Sequence, residues 1–167
     1  MDAKEAIEQL KAEIKGRKLT GNLNPGKKHP QAGQLHRSTD PDWFYLVTEV
    51  APDRVEIIPG SFEVLEAGPD DIVLPSSIFG DMFFLSLDLA TAVPASALKD
   101  CFAIMDDVSY DRVIDSQIEY DTGEKGDNPS YPRALSYISR HDPRIKFHNK
   151  MAKRIHDEAL KLVVFVP

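Results

Sequence analysis

The sequence predicts a mainly β protein with helical additions at both ends, and two observations support this fold class. Short apolar segments rich in β-branched and aromatic residues recur between residues 43 and 113. Turn-forming residues separate these segments, for example Pro59-Gly60 and the acidic turn at residues 68–71. A chain of 167 residues with 42% apolar content can bury one real core. We therefore expect a single barrel-like β-domain that carries terminal additions.

An amphipathic helix is predicted over residues 1–18. Its apolar residues fall on one face at helical spacing, namely Ala3, Ile7, Leu10 and Ile14. The residues from 19 to 34 are polar and contain Gly and Pro, which predicts a surface loop. Lys27 and Lys28 lie in this loop and are candidates for binding phosphate. Lysines in a loop are more often simply solvated, and both interpretations stay open at this point.

The central domain is predicted to span residues 33–115. It opens with a short strand at residues 33–38, which a turn at residues 40–42 closes. Further apolar segments are predicted as strands at residues 43–47, 55–58, 72–74, 82–87 and 90–93.

The region after the last of these strands is less regular. The pattern over residues 96–105 mixes helix-start signals with strand-like content and is ambiguous. A short helix is predicted at residues 106–114, with Asp107 or Ser109 as its cap. The residues from 120 to 132 are predicted as a linker, because the stretch from 121 to 130 includes two Gly and a Pro in a polar sequence.

The C-terminal extension is predicted over residues 133–167. Asp142-Pro143 offers an N-cap followed by a proline at the first helical position, and the helix runs to about residue 160. The residues from 162 to 166 are continuously apolar, which predicts a final strand at a sheet edge. We expect this extension to pack on the central domain.

Charge is unevenly distributed along the chain, whose net charge is −7. The balance is 8 Lys and Arg against 4 Asp and Glu in residues 1–37, 4 against 20 in residues 38–132, and 8 against 3 in residues 133–167. The two basic ends either fold back against the acidic centre or reach an anionic partner. In the C-terminal helix, Arg144, Lys150 and Arg154 are candidates for contact with phosphate. The charges favour the alternative, a cationic helix packed on the acidic centre.

Neither a membrane span nor a metal site is expected from the sequence. No window approaches the roughly 20 consecutive apolar residues of a membrane span, and the N-terminal stretch lacks an apolar signal core, so we expect a cytoplasmic protein. The lone Cys101 is expected to be a small buried hydrophobe. His148 and His156 share a face of the C-terminal helix, but no third ligand accompanies them there. The acidic residues from 106 to 115 lack the Gly and the terminal Glu of a calcium loop. No cofactor is therefore expected.

Part of the chain resembles a known family. The sequence GQLHR at residues 33–37 is similar to the opening G-[DQ]-[IV]-W of the MazF/PemK toxin-like SH3 barrels, and FYLV at residues 44–47 is similar to their second strand. The sequence IIPGS at residues 57–61 resembles the end of their third strand, and FLSL at residues 84–87 resembles a late strand. The similarity is one of pattern, covers residues 33–115, and implies a small SH3-like β-barrel.

The resemblance implies a metal-independent endoribonuclease that acts on single-stranded RNA, forms a homodimer and is inhibited by an antitoxin. In that family an Arg before the second strand and a Thr or Ser after the third lie beside the scissile phosphate. Ser61 matches the second position. The segment at residues 39–42 supplies carboxylates in place of the Arg, so His36 and Arg37 are the nearest basic candidates. A His could act as acid or base near neutral pH, or could simply pack in the strand.

Two functional hypotheses follow from the sequence. In the first, the protein is a PemK-like endoribonuclease in which His36, Arg37 and Ser61 surround an RNA phosphate. In the second, the barrel is catalytically inactive and binds a protein partner through acidic loops and an aromatic face that includes Trp43. The surface near Ser61 discriminates between them, because a basic groove favours RNA and an acidic one favours a protein.

Overall fold

The computed structural model describes residues 3–5, 29–75 and 81–162. Residues 3–5 are helical, within the predicted N-terminal helix. The remainder of that helix, the loop lysines Lys27 and Lys28, and the predicted final strand from residue 163 onward lie outside the described residues.

Seven strands form the described β-structure. They are β1 (Gln34–Arg37), β2 (Phe44–Val50), β3 (Val55–Ser61), β4 (Asp71–Leu74), β5 (Phe83–Ser86), β6 (Thr91–Val93) and β7 (Cys101–Ile104). All neighbouring strands are antiparallel, in the order β4-β5-β3-β2-β1-β7, and β6 pairs with β3 beside β5. The expectation of a mainly β protein with helical additions is confirmed. The edge strands β4 and β7 do not pair with each other among the described residues, so the sheet is open.

The Pro59-Gly60 pair lies inside β3, so the prediction of a turn there is wrong. The first half of β3 pairs with β6 through residues 55–57, and its end pairs with β5 through Gly60 and Ser61. Pro59 falls in the gap between these two ladders, a position where a strand tolerates proline. Gly60 allows β5 to pass close to β3. The local turn signal is therefore overridden by pairing on both edges.

Two α-helices follow the sheet, α1 (Asp107–Thr122) and α2 (Pro143–Leu160). The N-cap of α1 is Asp106, whose side chain accepts a hydrogen bond from the Ser109 amide, so the predicted caps Asp107 and Ser109 are both wrong. This helix also runs eight residues past the predicted end at residue 114, because packing on the sheet extends it beyond its local signals. For α2, the predicted Asp142 cap and proline start are confirmed.

The remaining connections include three short 3-10 turns, at Val64–Glu66, Leu87–Leu89 and Ala95–Ala97. The ambiguous residues 96–105 resolve into the last of these turns and β7, in which Cys101 is buried as expected. Residues 120–122 of the predicted linker belong to α1. Further along the linker, the Asn128 amide donates to Asp115 at 3.0 Å and Arg112 Nε donates to the Pro129 carbonyl at 2.6 Å, which holds the segment against α1. None of the described helices is long and apolar enough to cross a membrane.

The sheet buries both of its faces. The inner core lies on the α1 side and contains Leu35, Phe44, Leu46, Ile58, Phe83, Leu85 and Val113, among others. The α2-side core contains Trp43, Tyr45, Val47, Ile57, Phe84, Met151 and Ile155, among others. Adjacent residues of one strand, such as Phe83 and Phe84, enter different cores because side chains alternate between the faces of a sheet. Both helices therefore depend on the same sheet.

Candidate functional site

His36 is buried in β1 and uses its ring nitrogens inside the protein. Its Nδ1 lies 2.8 Å from the Lys99 carbonyl oxygen, and its Nε2 lies 2.9 Å from Gln34 Oε1. Burial lowers the pKa of His36 against the raising effects of the Lys99 carbonyl and the Asp100 carboxylate. The strand-packing interpretation of this histidine therefore describes its surroundings better than an acid–base role does.

Ser61 is fully buried at the end of β3. Its hydroxyl donates to the Asp42 carbonyl at 2.6 Å and accepts from the Glu63 amide at 3.1 Å. These bonds join the turn before β2 to the loop after β3. The Ser61 hydroxyl thus has structural partners on both sides and no open face toward solvent.

Arg37 lies on the face of the sheet opposite to His36 and Ser61. In the register of β1 and β2, Arg37 pairs with Phe44 of the inner core, whereas His36 pairs with Tyr45 of the α2-side core. The guanidinium lies 3.2 Å from Asp100 Oδ2 and 5.2 Å from the centroid of the Phe102 ring. The structure therefore does not bring the three predicted catalytic residues together around one phosphate-sized space.

Two of the predicted binding residues, Trp43 and Lys150, lie where α2 meets β2. Trp43 is buried and meets Phe147 edge to face, with ring centroids 6.3 Å apart. Lys150 Nζ lies 6.0 Å from the Trp43 ring centroid and 3.7 Å from Asp42 Oδ2. A tryptophan in this position is core and offers no exposed ring to a ligand.

The helix α2 packs through apolar side chains, and most of its cations face solvent. Met151 and Ile155 are buried against the sheet, with Phe147 beside them. The exposed positions include four cations, Lys146, Lys150, Lys153 and Arg154. Of these four, Lys150 alone has an acidic partner among the described residues, namely Asp42. Apolar burial therefore holds this helix on the sheet, and of these four exposed cations only Lys150 adds the expected contact with an acidic side chain among the described residues.

Arg144 is the exception among the cations, because its side chain is largely buried and fully used. Its guanidinium bonds both oxygens of Asp142, and those hydrogen bonds hold the pKa of Asp142 well below its usual range. It also donates to three backbone carbonyls, of Ala67, Leu135 and Ser136, at 2.8–2.9 Å. Arg144 therefore joins α2, the turn before β4 and the segment before α2, and is not available to phosphate.

Three large apolar side chains are exposed on the two segments whose backbone Arg144 joins. Leu65 is 90% exposed, Leu135 83% and Ile138 93%. The carbonyls of Ala67 and Leu135 accept hydrogen bonds from the same Arg144 nitrogen, which places the segment of Leu65 next to that of Leu135. We call Leu65, Leu135 and Ile138 the apolar patch.

A second polar cluster lies where β4 and β5 meet α2. We call Asp71, Ser86, Asp88 and His148 the β4–α2 junction. Asp71 in β4 is directly opposite Ser86 in β5, and Asp88 follows in the 3-10 turn. His148 Nε2 in α2 lies 3.0 Å from Asp88 Oδ2. Elements far apart in sequence thus deliver these four side chains to one place.

The electrostatics of the β4–α2 junction are perturbed. Burial raises the pKa of Asp71 to about 6, against the lowering effects of the Gly68 amide, the nearby Ser86 hydroxyl and His148. The Asp88 carboxylate raises the pKa of His148. Clustered groups with shifted pKa values are typical of functional sites, although structural ion-pair networks show them as well.

The sequence indicates no site at this junction. Its pattern predicts Asp71 as a turn former and places His148 on the helix face that carries Ile145 and Ile155. Along α2 itself the candidate ligands are His148 and His156, because Asp71 and Asp88 come from other elements. Their convergence is a property of the tertiary fold, and no spacing in the sequence signals it.

Neither a protein-family model nor a curated protein matches the chain.

Proposed function

We propose that the protein is a catalytically inactive SH3-like barrel that acts as a protein-interaction module. The apolar patch is the observation that carries this proposal, since its three aliphatic side chains are 83–93% exposed. Exposed apolar patches on a folded domain mark sites of protein association, because burying them against a partner is favourable. The occupant is a protein segment that presents aliphatic side chains of its own.

The backbone beneath the apolar patch is fixed, which favours binding. The Ile138 amide donates to Asp142 Oδ2 at 3.1 Å, and the Ala134 amide donates to the Asp71 carbonyl at 3.0 Å. Together with the Arg144 hydrogen bonds, these contacts hold the segment before α2. A partner that meets an ordered surface loses less conformational entropy than one that must order it.

The types of exposed side chain favour a protein over RNA as the partner. The large hydrophobic residues that are exposed in the described chain are aliphatic or Met, namely Val50, Leu65, Met82, Ile104, Val108, Ile118, Leu135, Ile138 and Leu160. Single-stranded nucleic acid is usually bound by stacking bases on exposed aromatic rings. Because none of the described aromatic residues is exposed in this way, a base-stacking surface has no support.

The order of the strands supports an SH3-like barrel. Among the described strands the last, β7, returns to pair with the first, β1, while β1, β2 and β3 form an antiparallel meander. A closed barrel also needs its two edge strands to pair, and β4 and β7 do not pair among the described residues. The inner core enclosed between the sheet and α1 is consistent with the interior of such a barrel.

Site-specific photo-crosslinking tests the proposed interaction. A photoreactive residue is placed at position 135 or 138 of the full chain, and the protein is irradiated in an extract of the cells that produce it. The matched control carries the same residue at position 108, where Val108 is 77% exposed on α1. We expect one protein to be crosslinked from positions 135 and 138 only, and to be lost when the chain carries L135S and I138S. Equal crosslinking from position 108, or none from the patch, contradicts the proposal.

We propose as a second candidate the PemK-like endoribonuclease, which one observation favours. The exposed cations of α2 lie on the side of the sheet that contains Ser61, because α2 covers the α2-side core and Ser61 pairs with Phe84 of that core. Such a surface could neutralise RNA phosphates. Catalysis would require His36 or Ser61 to leave the hydrogen bonds described above.

An RNA cleavage assay tests this second candidate. The purified chain is incubated with mixed-sequence RNA and a chelator, and a K153E/R154E variant is compared with a K125E variant in the segment after α1. Cleavage that K153E/R154E reduces and K125E does not would support the ribonuclease. Absence of cleavage at high protein concentration removes it. Growth arrest and rescue on co-expression with the neighbouring gene product would identify that product as an antitoxin.

A further inference from the structure

The β4–α2 junction gathers three potential metal ligands. One oxygen each from Asp71 and Asp88 and one ring nitrogen of His148 all lie within 4.8 Å of one another. These ligands come from β4, the 3-10 turn after β5, and α2. Two carboxylates and an imidazole are a donor set that divalent transition metals accept.

Buried polar atoms at the same place lack hydrogen bonds of normal geometry. Asp71 is 2% exposed, and its Oδ2 accepts the Gly68 amide at 2.7 Å. Its Oδ1 makes no hydrogen bond of normal geometry, and neither does the Oγ of Ser86, which is fully buried opposite Asp71, although this hydroxyl interacts with the Asp71 carboxylate. Buried carboxylate oxygens form well-made hydrogen bonds in most proteins, so Asp71 Oδ1 is an acceptor that can still bind a cation.

We propose that Asp71, Asp88 and His148 bind a divalent transition-metal ion, with Zn²⁺ preferred. Bonds of about 2.1 Å in a tetrahedral arrangement place ligand atoms about 3.4 Å apart. The three ligand atoms lie within 4.8 Å of one another, so an ion would have to shorten the longest separation by up to about 1.4 Å. Imidazole favours Zn²⁺ over Mg²⁺, and Zn²⁺ exceeds Mn²⁺ in the usual order of affinity.

The charges around the junction suit a dication. A metal ion binds the imidazole of His148 in its neutral form, and the two ionised carboxylates then supply two negative charges. The nearby cation Arg144 is paired with Asp142 at 2.8 Å and interacts with Asp71 only as a smaller, longer-range effect. The neighbouring Asp70 accepts a hydrogen bond from the Tyr120 hydroxyl at 3.0 Å and is therefore engaged elsewhere. The Gly68 amide on Asp71 Oδ2 orients the carboxylate, as outer hydrogen bonds do in metal sites.

Such an ion would fasten α2 to the sheet. His148 supplies the helix side of the site, and Asp71 and Asp88 supply the sheet side. The side chains of Asp88 and His148 are partly exposed, which gives the ion a path from solvent. Three protein ligands leave a fourth position for water or a small ligand. The site uses none of the three side chains of the apolar patch, so it does not depend on the protein-interaction proposal.

Metal titration of the full chain tests the site. The protein is treated with chelator, dialysed, and titrated with Zn²⁺, Mn²⁺ and Mg²⁺ in a calorimeter. We expect one Zn²⁺ per chain and a thermal transition that rises with Zn²⁺. The D88N and H148Q variants should each weaken Zn²⁺ binding by at least about 100-fold. Substitution of a residue that only hydrogen-bonds to a metal ligand already lowers metal affinity by about 10–100-fold. The matched control is H156Q, which changes an exposed histidine of the same helix and should bind as the wild type does.

Co²⁺ provides a readout that does not depend on stability. Bound Co²⁺ in a tetrahedral site should give visible absorption in the wild type and in H156Q, and this absorption should disappear in H148Q. Circular dichroism confirms that each variant is folded. If H148Q does not fold, the D88N variant takes its place in the absorption measurement. Absence of Zn²⁺ binding in the wild type, or binding in folded H148Q and D88N equal to that in H156Q, overturns the proposal.

Discussion

The space around Gly60 in β3 does not admit a side chain. A Cβ at this position would lie 2.4 Å from the Phe84 carbonyl oxygen and 2.7 Å from a Leu85 methyl carbon. The first of these atoms belongs to the backbone of β5 and can move only if the strand moves. Glycine is therefore required by close approach of two strands rather than by an unusual backbone angle.

The variant Gly60→Ala should be strongly destabilised. We expect a loss of about 2–3 kcal/mol in the free energy of unfolding, measured in urea, because strand β5 must shift to admit the methyl group. Gly123→Ala is the matched control: Gly123 caps α1 at a φ of 76°, and a Cβ added there would meet nothing within 4 Å. Alanine at position 123 is unfavourable only because of the left-handed backbone conformation, so we expect this control to lose about 1 kcal/mol in the free energy of unfolding. Equal losses in the two variants would show that β5 is not held against Gly60.

His36 should make the stability of the protein depend on pH. Burial lowers its pKa in the folded state, with Asp100 as the acidic group that opposes this. Below the unfolded value of about 6.5, the unfolded chain therefore takes up a proton before the folded one does. The contribution of neutral His36 to the free energy of unfolding is complete above about pH 6.5 and is lost as the pH falls toward the pKa of His36 in the folded state.

The measurement compares the wild type with His36→Asn, which keeps a donor near the Lys99 carbonyl. The free energy of unfolding is determined by urea titration at several pH values. The wild type should lose up to about 1.4 kcal/mol more per pH unit than the variant over the window below about pH 6.5. Parallel pH profiles for the two proteins would mean that His36 titrates alike in the folded and unfolded states.

In α2, apolar side chains and the polar side chain of Arg144 have different structural roles. Met151 and Ile155 attach the helix to the sheet, while Arg144 fixes the segment that precedes it. The planar guanidinium reaches Asp142 and three carbonyls at once, which an ammonium group cannot reproduce. The segment from residue 133 to 142 therefore depends on Arg144 together with the backbone hydrogen bonds of Ala134 and Ile138.

The variant Arg144→Lys should release this segment without unfolding α2. We expect faster hydrogen exchange at the amides of Ala134 and Ile138, and a stability loss of about 2 kcal/mol, because hydrogen bonds to a charged group are lost. The control is Arg154→Lys on the exposed face of α2, which should change neither quantity. Unchanged exchange in Arg144→Lys would show that other contacts order the segment.

For the molecule as a whole, the two cores should unfold together because one sheet separates them. Neighbouring strand residues enter opposite cores, so loss of either core removes support from the other. Trp43 is the single tryptophan of the chain and is buried beside α2. Its fluorescence therefore reports on the α2-side core, whereas far-UV circular dichroism reports on both helices and the sheet.

Urea unfolding followed by these two signals should give coincident transitions. The substitution Val113→Ala, in the inner core on α1, should lower both midpoints equally and cost about 1–2 kcal/mol. A tryptophan transition that precedes the circular dichroism transition would instead show that α2 detaches on its own.

The sequence by itself determined the features that depend on neighbouring residues. The apolar segments and turns located most of the strands, and Asp142-Pro143 located the start of α2. These predictions hold because alternation, capping and proline geometry act over a few residues. Packing and strand pairing with distant segments are not part of such signals. Packing on the sheet extends α1 beyond its predicted end, and pairing with strands on both sides keeps Pro59-Gly60 inside a strand.

Only the tertiary structure decided which side chains meet. His36 and Arg37 are adjacent in the sequence, yet the pleat of β1 sends them to opposite faces and separates the predicted catalytic group. Asp71, Asp88 and His148 are far apart in the sequence, yet strand pairing and the packing of α2 bring their ligand atoms within 4.8 Å. Proximity of this kind is set by how the sheet and the helix pack, and the spacing of residues along the sequence does not indicate it.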